Sequence, residues 1–179
     1  MRKWICAFAG VVLGAGPTLA QSPLLGCYER TYDPAHLSQH KGQIVMRASL
    51  SVTPTGPEMK GQVEASGTLR LWVRGQEKSF DSHGACNTKS GSHSLFCAGS
   101  LSAAESDACK TKQDGVRQCR IDQGSPGSFK IEARTDGILV SLRERLELVQ
   151  APYDGGPYLY LSPSNAENHG FLLKKSACK

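Results

Sequence analysis

Four of the seven cysteines fall between residues 86 and 119, in the run CNTKSGSHSLFCAGSLSAAESDACKTKQDGVRQC. That run is rich in Ser, with Lys, Gly and Asp interspersed, and poor in large apolar residues. A segment of this composition buries too little hydrophobic surface to hold itself in place. It is expected to be a polar insert at 86–119, held by cross-links, with hydrophobic strands on both sides packing around it.

Cross-links of this kind persist only in an oxidising compartment, and the N-terminus offers a way there. Residues 1–20 read as a secretory signal peptide: Arg2 and Lys3, an uncharged apolar run over 4–16, Pro17, then Thr18-Leu19-Ala20 at the cleavage position. The apolar run is shorter than the roughly 20 residues a membrane span needs. A rival processing site, Leu24-Leu25-Gly26-Cys27, resembles a bacterial lipobox, although Gln21, Ser22 and Pro23 interrupt the apolar run before it. Lipidation of Cys27 is the one route by which the sequence predicts contact with a membrane. Cysteine counting opposes it: Cys6 leaves with the signal, and six cysteines remain that can pair completely. The expected location is periplasmic or secreted.

Removing 20 of 179 residues leaves 159, enough for the single β-rich domain expected over 21–179. Arg2 and Lys3 also leave, so 19 basic residues face 16 acidic ones, a net charge of +3. That excess is too small to indicate a nucleic-acid partner.

Hydrophobic alternation dominates the chain. A short strand is expected over 27–32. Asp33-Pro34 then reads as an N-cap and first helical position for about two turns ended by Gly42. Residues 43–53 alternate, with Ile44, Met46, Ala48, Leu50 and Val52 inward and Arg47, Ser49 and Ser51 outward. Residues 62–74 alternate again, and Gly67 falls on their inner face, where a bend or bulge is expected. Weaker strands are expected at 77–85 and 94–98, and Asp114-Gly115 marks a turn. Residues 128–134 form a strand, Asp136-Gly137 a hairpin turn into 138–149, and 157–161 and 170–175 the last strands. The predicted fold is all-β: a small antiparallel barrel or sandwich of about eight strands, with one short helical turn near the mature N-terminus.

For the bridges, Cys27 with Cys178 is expected to join the two ends of the domain. Cys86 with Cys97 and Cys109 with Cys119 are near enough to pair locally. Six cysteines allow fifteen pairings, and spacing alone does not choose among them.

The pattern CYERTYDPAHLSQHKGQIVMRASL, followed by GAC, SLFC, CRIDQGSPGSFKIEA and a late SAC, resembles a group of secreted Cys-containing β-rich proteins of alphaproteobacteria. The resemblance implies a periplasmic β-rich domain and brings no catalytic residues. The segment around Cys109 departs from the pattern and looks inserted.

Arg70, Trp72 and Arg74 share the outward face of one strand, where alternating Arg and Trp can stack and bind a ligand or protein surface. The competing reading is a solvated face with the indole shielded by arginine stems. Glu144 interrupts the otherwise apolar set Ile138, Val140, Leu142, Leu146 and Leu148. Inside a barrel it would mark a ligand site; a twist or bulge would put it in solvent. His36 and His40, spaced i and i+4, are weak metal candidates. His83 and His93 precede Cys86 and Cys97 at zinc-like spacing, but the oxidising compartment favours a disulfide. Ser90-Gly91-Ser92-His93 resembles the Ser-Gly loop of periplasmic lysozyme inhibitors, without the aromatic residue that follows it there. The sequence holds no G-x-S-x-G, H-E-x-x-H, phosphate-binding or dinucleotide fingerprint.

The expected function is therefore non-enzymatic binding of a small ligand, glycan or protein (an enzyme to be inhibited being one case), with Arg70, Trp72, Arg74 and Glu144 as ligand-contacting residues and no cofactor. The alternative is a metal-binding or hydrolytic envelope domain using His36 and His40, or His83 and His93.

Overall fold

The computed structural model describes residues 24–56, 61, 63–89, 93–100, 126–150 and 157–178. The expected signal, the Cys109–Cys119 pair and residues 90–92 lie outside the described residues. The strands are β1 (Gly26–Thr31), β2 (Val45–Pro54), β3 (Ala65–Val73), β4 (Phe80–Thr88), β5 (Ser94–Ser100), β6 (Ser128–Arg134), β7 (Gly137–Leu142), β8 (Leu146–Val149), β9 (Tyr158–Leu161) and β10 (Gly170–Ser176). One helix, α1 (Pro34–Gln39), follows β1. Asp33 caps it as its sequence predicts, accepting from the His36 backbone N–H at 2.8 Å.

Each of β1 to β6 pairs antiparallel with the next, and β10 closes the ring between β7 and β1. The result is an eight-strand up-and-down barrel. The β8–β9 hairpin stands outside the ring and joins β4 at the pair Asp81–Val149. Eight strands enclose just enough space for side chains to fill. Phe129, Ile131, Val140, Leu69, Leu71 and Leu173 are each fully buried, and Phe171 is 1% exposed. The interior is a packed core, with Cys86 and Cys97 bonded to each other inside it.

Two glycines make room for that bridge. A Cβ on Gly67 would lie 3.0 Å from Cys86 Sγ, and one on Gly84 would lie 2.9 Å from Cys97 Cβ. Gly67 pairs without interruption to Val52 on one side and Gly84 on the other. No bulge interrupts the register at Gly67; its small size answers to packing.

The bulge lies instead in β2, between Val45 and Arg47. It shifts the alternation by one residue, so Val45 is fully buried while Met46, expected inward, is only half-buried. The strand expected over 138–149 is two strands, because the chain turns outward at 143–145. The Arg143 amide bonds to the Ser128 carbonyl at 2.9 Å there. The apolar pattern runs through this break unchanged, since Leu142 and Leu146 are both buried. Residues 86–88 and 94–100, expected to open the polar insert, are barrel wall.

Cys27–Cys178 is bonded, with a sequence separation of 151. It ties the seam where β1 meets β10. The Cys27 sulfur is thus taken up in this bond. Asn168 pins the loop before β10 to the start of β2. Fully buried, it accepts from the Ile44 amide at 2.9 Å and donates to the Gly42 carbonyl at 2.8 Å.

Candidate functional site

The outer face of β10, β1, β2, β3 and β4 carries residues in registered rows. Ser176, Cys27, Ser51, Thr68 and His83 form one row, each opposite the next. Lys174, Glu29, Ser49, Arg70 and Asp81 form the second. Thr31, Arg47 and Trp72 form a third. Register fixes this arrangement, because residues opposite each other on antiparallel strands point to the same side.

The small side chains Ser49, Ser51 and Thr68 leave the middle of this face low. Larger neighbours rise around them and enclose a groove of about 470 Å³. Arg47, Arg70, Trp72, His83 and Glu29 contribute walls, and Ser176 and Ala177 line it from the chain's C-terminal side. Leu50 and Tyr28 also border it, although Leu50 is 1% exposed and Tyr28 4%.

The charges here are paired. Arg70 donates through Nε and Nη2 to the two oxygens of Asp81, both at 2.8 Å. Asp81 is 3% exposed. Arg47 Nη2 meets Glu29 Oε2 at 2.7 Å, while its guanidinium lies 4.1 Å from the centre of the Trp72 ring. Thr68 Oγ1 and His83 Nδ1 are 3.0 Å apart.

Arg70 and Trp72, expected as ligand-contacting residues, both line the groove. Arg74 lies apart from it and binds the end of α1, donating to the Leu37 carbonyl at 2.7 Å. A cation at the C-terminus of a helix satisfies carbonyls that lack helical partners. Glu144 is on the outside, in the 143–145 turn, where its carboxylate accepts from Ser128 Oγ at 3.0 Å. The interior position considered for it is therefore not the one it takes.

His36 and His40 stack on each other with ring centroids 4.3 Å apart, and Tyr32 stacks on His36 at 5.0 Å. His36 Nε2 is 3.0 Å from Gln43 Oε1. Among the described residues, no group of three or more His, Cys, Asp or Glu is placed to hold a metal. Cys86 and Cys97 are consumed by their bridge, so they offer no thiolate beside His83 and His93.

The partners missed from sequence are Glu29, Arg47, Ser49, Ser51 and Thr68, while His83 is expected there only for metal binding or hydrolysis. Their outward parity was readable for 47, 49 and 51. Which strands lie side by side was not.

No family model, curated protein or solved structure matches this chain.

Proposed function

We propose that this chain is a non-enzymatic binding protein whose outer-face groove holds an uncharged, polyhydroxylated ligand, a glycan segment being the chemical type that fits. One observation carries the reading: each arginine of the groove is already matched by a carboxylate, Arg47 by Glu29 and Arg70 by Asp81. An anionic ligand would have to sit beside those carboxylates and be repelled by them. A sugar hydroxyl both donates and accepts, and so meets guanidinium, carboxylate and the Ser49, Ser51 and Thr68 hydroxyls without breaking either pair. The half-buried Trp72 adds apolar surface beside them.

The packed interior supports an external site. The groove floor supports binding over acyl-transfer chemistry. Its strands spend their backbone N–H groups on each other, whereas a tetrahedral intermediate needs N–H groups aimed at the forming oxyanion.

The test is calorimetric titration with neutral oligosaccharides such as chitotriose, maltotriose and cellotriose. Binding that weakens by about tenfold or more in Trp72→Ala is expected. Absence of binding across the panel overturns the reading.

The Thr68–His83 contact at 3.0 Å favours one second reading, a hydrolase with Thr68 as nucleophile. Ester hydrolysis by the purified protein that His83→Ala removes would establish it.

The two disulfides among the described residues are the mark of an oxidising, extracytoplasmic compartment. No helix among the described residues is long and apolar enough to cross a membrane. Export through residues 1–20 into the periplasm, or beyond it, completes the proposal. The mass of the processed protein tests it, with an N-terminus at Gln21 expected.

A further inference from the structure

The two bridges sit in opposite surroundings. Cys86 and Cys97 are 0% and 1% exposed, sealed in the barrel beneath Gly67 and Gly84. Cys27 and Cys178 lie on the outer face, with Cys178 exposed and Cys27 half-buried. Cys27 lines the groove together with Ser176 and Ala177. The β1–β10 ladder ends at the pair Cys27–Ser176, so residues 177 and 178 lie past the sheet, tied to β1 by the bridge. The bridge therefore fixes one wall of the groove. Thiol access separates the pairs, because exchange requires a thiolate to reach a sulfur.

From this we infer that the Cys27–Cys178 bridge is a thiol-operated latch, opened by a dithiol reductant to release the groove's C-terminal wall and its ligand. The ligand arm of this inference rests on the glycan reading above; the latch itself does not. The step balances as ordinary exchange. A thiolate of the dithiol attacks Sγ of the exposed Cys178, an S–S bond forms to it, and the bond to Cys27 breaks. The electron pair leaves on Cys27 Sγ, 3.8 Å from the Ser51 hydroxyl, which is placed to donate to the new thiolate. The second thiolate of the dithiol then attacks the dithiol sulfur bonded to Cys178, closes the ring and expels the Cys178 thiolate. Two electrons and two protons pass to the protein, and the dithiol leaves as a cyclic disulfide.

The experiment treats the native oxidised protein with graded dithiothreitol, quenches with iodoacetamide and maps the modified peptides. Cys27 and Cys178 are expected to be alkylated at a reductant concentration about tenfold or more below that needed for Cys86 and Cys97. On that selective reduction, amide hydrogen exchange should rise at 27–29 and 174–177 and stay unchanged in β4 and β5. The affinity for any oligosaccharide bound by the oxidised protein should fall about tenfold. The variant Cys27→Ser/Cys178→Ser should show the reduced pattern without reductant; if it does not fold, reduction of the native protein still decides. Equal alkylation of Cys27, Cys178, Cys86 and Cys97 overturns the latch. So does selective reduction that leaves exchange at 174–177 unchanged. Failure of the oxidised protein to bind any oligosaccharide overturns only the glycan reading, because alkylation and exchange are read without ligand.

Discussion

Gly67 and Cys86 meet inside the barrel so closely that a methyl group on residue 67 would sit 3.0 Å from the Cys86 sulfur and 3.4 Å from that of Cys97. In an open strand, exchanging Gly for Ala gains about 0.5–1 kcal/mol by restricting the unfolded chain. Overpacking a tight core costs about 1–3 kcal/mol. The second effect should win, so Gly67→Ala is expected to lower stability by about 1 kcal/mol. In a Cys86→Ala/Cys97→Ala background the sulfurs are gone, and the same substitution should turn neutral or stabilising. Urea midpoints around this cycle measure the coupling.

Removing the Asn168 side chain should cost more. It serves the Ile44 amide and the Gly42 carbonyl at once, in a fully buried position. Asn168→Ala deletes both hydrogen bonds and is expected to destabilise by about 2–4 kcal/mol. Asn168→Asp keeps the acceptor and loses the donor, so amide exchange should rise around Gly42 while Ile44 stays protected.

The fork between Arg70 and Asp81 has two hydrogen bonds at 2.8 Å, with the carboxylate buried and the guanidinium partly in water. Arg70→Ala is expected to cost about 1–2 kcal/mol, between an exposed pair and a sealed one. Arg70→Lys should restore little, because an ammonium cannot make the parallel contacts. Chemical denaturation of the two variants, compared in low and high salt, checks both statements.

Burial pushes the Tyr32 hydroxyl above its ordinary value of 10.0, with Arg30 pulling weakly the other way. The folded state therefore holds this proton more tightly than the unfolded state. Its contribution is complete below 10.0 and is lost as pH rises through the higher folded value. Tyr28 is raised by burial too and has the same sign. Stability should fall steeply on the alkaline side, and Tyr32→Phe should flatten that limb. Urea midpoints measured across the alkaline range would show the difference.

Local rules made much of the barrel readable in advance. Period-two alternation located β2, β3 and β6 because each has one face in the core, and Asp33-Pro34 marked α1 through its cap chemistry. Leu142 and Leu146 kept the same alternation across a turn, so nothing in the pattern announced that one strand was two. Val45 replaced Met46 in the core because a bulge adds a residue without changing composition. The groove was legible only through Arg70 and Trp72. Apart from Thr68, its other members come from four further strands, and their meeting depends on long-range register that no local pattern encodes. Arg74 has the same parity as its two neighbours, yet the end of α1 claims its guanidinium.

Barrel closure between β1 and β10 has a consequence for how the polypeptide is made. The opening strand gains its second neighbour only when the closing strand arrives, after everything between has been synthesised. Until then one flank of β1 carries unmatched amides and carbonyls, the kind of border that recruits stray strands. Closure must therefore be a late event, and a chain stalled before residue 170 would leave an unsealed sheet in place of a slightly shorter protein.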